Sequence, residues 1–167
     1  MPRDHARFQT AIWDDRDFRK LDQAAQHVYM MLTSNKDITY CGTLDYVPGR
    51  FVDAVSGLTD AKFKATIRVL ERHRYIVVDR KTQELLVRSF IRHDKILARR
   101  NIGNACARAL GKVHSPLIRE AIMHELARLW IEDASREGWI GFKDFDAMAF
   151  DMACAMASDM TRGEPVA

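Results

Sequence analysis

Residues 59–91, TDAKFKATIRVLERHRYIVVDRKTQELLVRSFI, carry two periodicities in succession, and the change between them decides the fold. In the first part, Phe63, Ile67 and Leu70 recur at helical spacing behind Thr59, a good N-cap, so one stripe faces a core. Lys62, Lys64, Arg68 and Arg72 project from the rest of that helix. After Arg74 the period shortens. Residues 75–78 are a β-branched run, residues 79–83 are polar turn material, and residues 85–91 form a second apolar run. A cationic amphipathic helix therefore leads directly into a hairpin with Arg80 and Lys81 at its tip.

The order of a basic helix and then a hairpin is the signature of a winged helix-turn-helix, with residues 59–72 as recognition helix and residues 75–91 as wing. The segments before it suit that reading. Residues 21–33 place Leu21, Ala25, Val28, Tyr29 and Leu32 on one helical face. Residues 38–42 are short and β-rich and are expected to be a small first strand. Residues 43–49 read as a turn into a short second helix over 50–56, and Gly57 with Thr59 would form the tight turn before the basic helix. Ahead of all this, residues 1–19 form an arm in which Trp13 and Phe18 are expected to anchor over the helical core.

Beyond the hairpin the pattern is helical again. Residues 93–97 connect to a helix over 99–112 carrying Arg99, Arg100, Arg108 and Lys112. A further helix starts at Ser115, with Pro116 at its first position. The last helix is expected over 143–160, with Phe145, Met148, Met152, Met156 and Met160 on one side. A Met-rich stripe serves either as core or as a deformable partner surface, and both readings stay open. Residues 161–167 read as a frayed tail. The fold class expected is mainly α with a small β-hairpin. A winged helix-turn-helix over residues 1–96 precedes a helical module over residues 97–163, which could dimerise or bind a partner.

Charge is distributed unevenly along the 167 residues. Residues 1–46 carry −1, residues 47–112 carry +9 and residues 113–167 carry −5, which reproduces the overall +3. A basic middle segment suits a polyanion, because phosphate neutralisation releases counterions. With 47% apolar and 29% charged residues, the chain is ordinary globular material rather than disordered. No apolar run is long enough for a bilayer and the N-terminus lacks a signal-peptide core, so a cytoplasmic location and no membrane contact are expected. Cys41, Cys106 and Cys154 show no CxxC spacing and read as small buried thiols.

Catalytic signatures are lacking. There is no phosphate-binding GxxxxGK[ST], no GxGxxG after a strand and no GxSxG. His93-Asp94 could ligate a cation, but the other histidines form no evident set with it. Asp144, Asp146 and Asp151 lack the glycine and glutamate of a calcium loop. Gly103 and Gly111 read as packing glycines. No enzyme activity, metal or cofactor is expected.

Taken together, FRKLDQAAQHVYMMLTSN, DITYCGTLDYVPGRF, VLERHRYIVVDRKTQELLVRSFIRHD and ILARRNIGNACARAL resemble, in order and spacing over roughly residues 8–130, small winged-helix proteins of actinobacterial phages and prophages. The resemblance implies a replication-initiation, replisome-organiser or regulatory role on DNA. The expected partner is double-stranded DNA. Lys62, Lys64, Thr66 and Arg68 would lie nearest base edges, and Arg72, Arg80, Lys81, Arg88, Arg99 and Arg100 would hold phosphates or the minor groove. A homodimer through the C-terminal helices and a replication or transcription protein are further expected partners. The alternatives are a transcriptional repressor of phage genes and a winged-helix protein-interaction module that binds no DNA.

Overall fold

The computed structural model describes residues 6, 8–93 and 95–162. It is mainly helical, with a three-stranded antiparallel sheet. A 3-10 turn (Thr10–Trp13) and the short α1 (Arg16–Arg19) bring Phe18 into the core, where its ring meets Trp13 edge-on at 5.8 Å. Trp13 itself stays 55% exposed, so it covers Phe18 from outside.

Next comes α2 (Gln23–Thr33), capped by Asp22, whose carboxylate accepts from the Ala25 N–H at 2.7 Å. Ala25, Val28, Tyr29 and Leu32 form its buried face, as the spacing requires. The first strand is displaced from the expected position. Residues 38–42 form a tight turn, with Gly42 N–H donating to Thr39 O and Thr39 N–H to Thr43 O. Gly42 sits at φ +82°, and a Cβ there would come within 2.8 Å of Phe90 Cβ. The strand β1 (Thr43–Asp45) therefore occupies part of the segment expected to be a turn.

The second helix also starts early. α3 (Pro48–Val52) begins at a proline whose fixed φ suits a first helical position, and it ends before residue 56. Residues 53–58 then turn through Gly57 at φ +78° to Thr59. Thr59 caps α4 (Asp60–Arg72) by accepting from the Lys62 N–H at 3.3 Å. Phe63, Ile67 and Leu70 are fully buried.

The hairpin is β2 (Ile76–Asp79) and β3 (Glu84–Val87), paired Ile76↔Val87 through Asp79↔Glu84. β3 is the central strand, with β1 on its other side in the register Thr43↔Leu86 to Asp45↔Glu84. Leu85, Leu86 and Val87 are consecutively buried, which is what a strand covered on both faces requires. The second apolar run does not continue as strand to residue 91, because residues 90–93 turn into the short α5 (Phe90–His93).

A buried 3-10 turn (Ile96–Ala98) leads to α6 (Arg100–Leu110), and Ser115 caps α7 (Pro116–Glu132) by accepting from the Ile118 N–H. The single final helix expected from the sequence is two helices, α8 (Gly138–Phe145) and α9 (Ala147–Arg162). Asp146 leaves helical geometry between them and caps α9 by accepting from the Ala149 N–H at 2.9 Å. Thr161 and Arg162 complete α9, while the rest of the expected tail lies outside the described residues.

α6 and α8 cross at backbone contact. A Cβ on Gly103 would lie 1.9 Å from Gly138 O, and one on Gly141 would lie 1.8 Å from Arg100 O. The small residues of α9 act similarly against α7: Ala149, Ala153 and Ala157 face inward. Met148 and Met152 are consequently 73% and 54% exposed, whereas Met156 is half-buried against the core. One hydrophobic cluster runs from Phe18 to Ala153 without interruption, and the expected boundary between residues 96 and 97 falls inside it, at the buried Ile96 and Leu97.

Candidate nucleic-acid interface

The α4 helix presents its buried stripe to the sheet and α2, so the opposite side is free. Ala61, Ala65, Arg68 and Arg72 lie along that outer side, since positions three and four apart share a face. Lys62 and Lys64 flank it, and all six residues are exposed. Two alanines between cations leave the backbone ridge low and the guanidiniums long. Ala61 and Ala65 are not among the contact residues expected from the sequence, although their spacing puts them on one face with Arg68 and Arg72.

The two acidic residues of α4 are neutralised along one flank. Asp60 pairs with Lys64 at 2.7 Å, and Glu71 accepts both terminal nitrogens of Arg80 at 3.0 and 2.7 Å. This fork-to-carboxylate bond raises the Arg80 pKa and ties the start of the hairpin turn to the helix. Arg80 also lies over the Tyr46 ring at 5.8 Å. Its guanidinium is thus a strut between the hairpin and the helix. Lys62, Arg68, Arg72 and Lys81 have no carboxylate partner among the described residues.

Three expected contact residues point elsewhere. Thr66 is only 8% exposed and faces the core beside Phe63 and Ile67, because its position on α4 falls within the apolar stripe. Arg88 lies at the far end of β3, where it donates to Glu125 of α7 at 2.9 Å with about a quarter of its side chain exposed. Arg100 opens α6 and binds Asp144 of α8 through Nε and Nη2, at 3.0 and 2.6 Å. Arg99 is exposed beside it. The structure therefore gathers Lys62, Lys64, Arg68, Arg72, Arg80 and Lys81 around α4 and the hairpin turn. It turns Thr66 inward and commits Arg88 and Arg100 to the C-terminal helices.

Arg74, which is not among the expected contact residues, is exposed at the corner between α4 and β2. Its φ of +61° belongs to the left-handed region, and its N–H closes the helix by donating to Glu71 O.

The hairpin is held from its other side by the start of α7. Glu84 accepts the N–H groups of His114 and Ser115 at 3.0 and 2.6 Å, and Asp79 accepts the Ser115 hydroxyl at 2.6 Å. The Ser115 bond, followed by the N–H of Lys81, holds the Asp79 carboxyl below its ordinary range. Carboxylates at a helix N-terminus also complement its dipole.

Burial raises the thiol pKa of Cys41 and of Cys106, which leaves both as inert core thiols. Among the described residues no group of three or more His, Cys, Asp or Glu side chains is placed to hold a metal ion. Asp94 of the His93-Asp94 pair lies outside them. No helix among them is long and apolar enough to cross a membrane. Comparison of the chain with family models, with curated proteins and with solved structures gave no match.

Proposed function

We propose that the chain is a sequence-specific double-stranded DNA-binding protein of winged helix-turn-helix type, acting without catalysis in phage or prophage replication initiation or its regulation. The order of α2, β1, α3, α4 and the β2–β3 hairpin, with β1 added to the hairpin beside β3, supports this architecture. The observation that carries the reading is the outer face of α4. It presents Arg68 and Arg72 over Ala61 and Ala65, flanked by Lys62 and Lys64, on a helix rigidly joined to a hairpin. An exposed arginine-bearing helix of this kind can enter a major groove, where a guanidinium can bond the O6 and N7 of guanine. Lys62, Lys64, Arg72, Arg74 and Lys81 then surround it as phosphate ligands.

Fluorescence anisotropy with labelled duplexes at several salt concentrations tests this reading. An Arg68→Ala, Arg72→Ala double variant should lower the salt slope by about 1–2, since each lost phosphate contact removes about 0.9 from it. Arg68→Ala alone should narrow the preference for the cognate site by about 1–3 kcal/mol. Unchanged affinity and no salt dependence in the double variant would remove the DNA reading in favour of a protein-interaction module. Footprinting on the genome of origin separates the two roles: protection over a promoter marks a regulator, and protection over clustered repeats with local melting marks an initiator.

The exposed Met148 and Met152, with Phe145 at 44% and Ile140 at 53% exposure, favour a second reading for the C-terminal helices, namely self-association of two copies that present paired recognition helices. Sedimentation analysis of a Met148→Glu, Met152→Glu variant tests it. A mass equal to one chain in both wild type and variant, free and on DNA, would exclude it.

A further inference from the structure

A cavity of about 510 Å³ opens where the N-terminal arm, α2, the α4–β2 corner, α5 and α7 meet. That volume lies in the range of small-molecule sites. One wall is aromatic: Tyr29 and Tyr75 meet edge-to-face at 5.2 Å, and both contact the buried Phe18 ring behind them. Burial raises the pKa of both phenols, so they remain protonated donors, and Tyr29 shares a 2.8 Å bond with the Ser89 hydroxyl.

The lining also carries arginines with unused bonding capacity. Arg88 gives Nη2 to Glu125, and Arg92 gives Nη1 to Glu132 at 2.5 Å. Arg88 Nε and Arg92 Nη2 are both shut off from bulk water and have no hydrogen-bond partner among the described residues. A buried charged donor without an acceptor is costly, and carboxylate oxygens satisfy guanidinium nitrogens best. Arg74 and Arg128 add two further cations to the lining, against the carboxylates of Asp15, Asp17 and Glu125. Histidines aside, the lining thus has an excess of one positive charge. Desolvation and the neighbouring Arg92 lower the pKa of His93, although the residue as a whole is exposed, and so favour its neutral form. One excess cation beside an aromatic wall suits a ring bearing one negative charge better than a phosphate dianion.

We propose that this cavity is a binding site for a small aromatic carboxylate, its ring against Tyr29 and Tyr75 and its carboxylate among Arg88, Arg92 and Arg128. The site shares only Arg74 with the proposed DNA face, and it does not depend on the DNA reading.

Isothermal titration calorimetry of the full chain, without DNA, tests the site with benzoate, 4-hydroxybenzoate, cyclohexanecarboxylate and inorganic phosphate. Benzoate or 4-hydroxybenzoate should bind at one site per chain, more tightly than cyclohexanecarboxylate, with phosphate weaker than either aromatic acid. Arg92→Gln should weaken binding by about tenfold. Arg128 has half of its side chain exposed, so Arg128→Gln should fold as the wild type does and weaken binding several-fold. If Arg92→Gln does not fold, Arg128→Gln decides alone. No binding of either aromatic acid at about 10 mM would overturn the proposal. So would tighter binding of phosphate, no preference over the cyclohexane acid, or equal affinity in wild type and the folded variants.

Discussion

The crossing of α6 and α8 makes Gly141→Ala the sharpest test of the packing. The new Cβ would stand 1.8 Å from Arg100 O, whereas ordinary contact begins at 3.4 Å, so the helices must separate by roughly 1.6 Å. The obstructing atom is backbone, and no rotamer change relieves it. Overfilling such a contact costs about 1–3 kcal/mol. Lifting α8 also uncovers part of Trp139 and Phe142, now 3% and 0% exposed, which adds about 1–2 kcal/mol. Alanine returns about 0.4–1 kcal/mol by restricting the unfolded chain. The net expectation is a loss of about 2–4 kcal/mol, or roughly 5–15 °C in melting temperature for a chain of this size. Gly111→Ala is the matched control. Its nearest atoms would be 3.6 and 3.7 Å away, at an ordinary φ of −60°, so it should be neutral or stabilising by up to about 1 kcal/mol. Thermal melts followed by far-ultraviolet circular dichroism compare the two variants. A Gly141→Ala protein melting with or above the wild type would refute the backbone-contact argument.

Other residues give independent checks. Glu71→Gln releases Arg80 and removes a carboxylate beside α4; on the DNA reading, affinity should rise several-fold at low salt and the salt slope should steepen by about 0.9, read by anisotropy. Glu125→Gln weakens the acceptor of the mostly buried Arg88 and should cost about 1–3 kcal/mol in urea denaturation; an unchanged midpoint would show that Arg88 finds another acceptor. Asp79 has its folded pKa lowered, so its contribution is present above the unfolded value of about 3.9 and is lost as pH falls through the folded value. Asp79→Asn should accordingly melt lower than wild type near neutrality, and the gap should close in strong acid.

The helix starts and the stripe of α4 were legible because their signals are local. Thr59 and Ser115 bond the backbone N–H groups three residues on, and the stripe of Phe63, Ile67 and Leu70 is buried as its period demands. Failures came where a long-range contact chose the residue. Gly138 and Gly141 weaken a helical pattern by propensity, yet they are what lets α8 reach the backbone of α6, so that helix was passed over. Residues 38–42 look β-rich, but Phe90 fills the space a side chain at Gly42 would need, and the chain turns there instead. The Met stripe was ambiguous for a similar reason: alanines at 149, 153 and 157 offer α7 a closer approach than methionine does, so two methionines stay outside.

The +9 of residues 47–112 and the −5 of residues 113–167 suggested two separate surfaces, one for a polyanion and one for something else. In the fold they partly cancel against each other. Arg88 meets Glu125, Arg92 meets Glu132 and Arg100 meets Asp144, each cation from the middle segment and each carboxylate from the acidic end. The two more exposed pairs, Arg92–Glu132 and Arg100–Asp144, add little stability, about 0–1 kcal/mol each, but all three decide which cations remain available. Arg80 is similarly occupied by Glu71, and Arg108 lies over the Phe145 ring at 5.0 Å. Of residues 47–112, the exposed cations without a carboxylate partner among the described residues form two groups: Lys62, Arg68, Arg72, Arg74 and Lys81 on or beside α4 and the hairpin turn, and Lys95, Arg99, Arg108 and Lys112 before and along α6. Pairing thus thins a diffuse basic segment to two groups, and on the DNA reading the one at α4 would meet the groove while the one along α6 would add phosphate contacts.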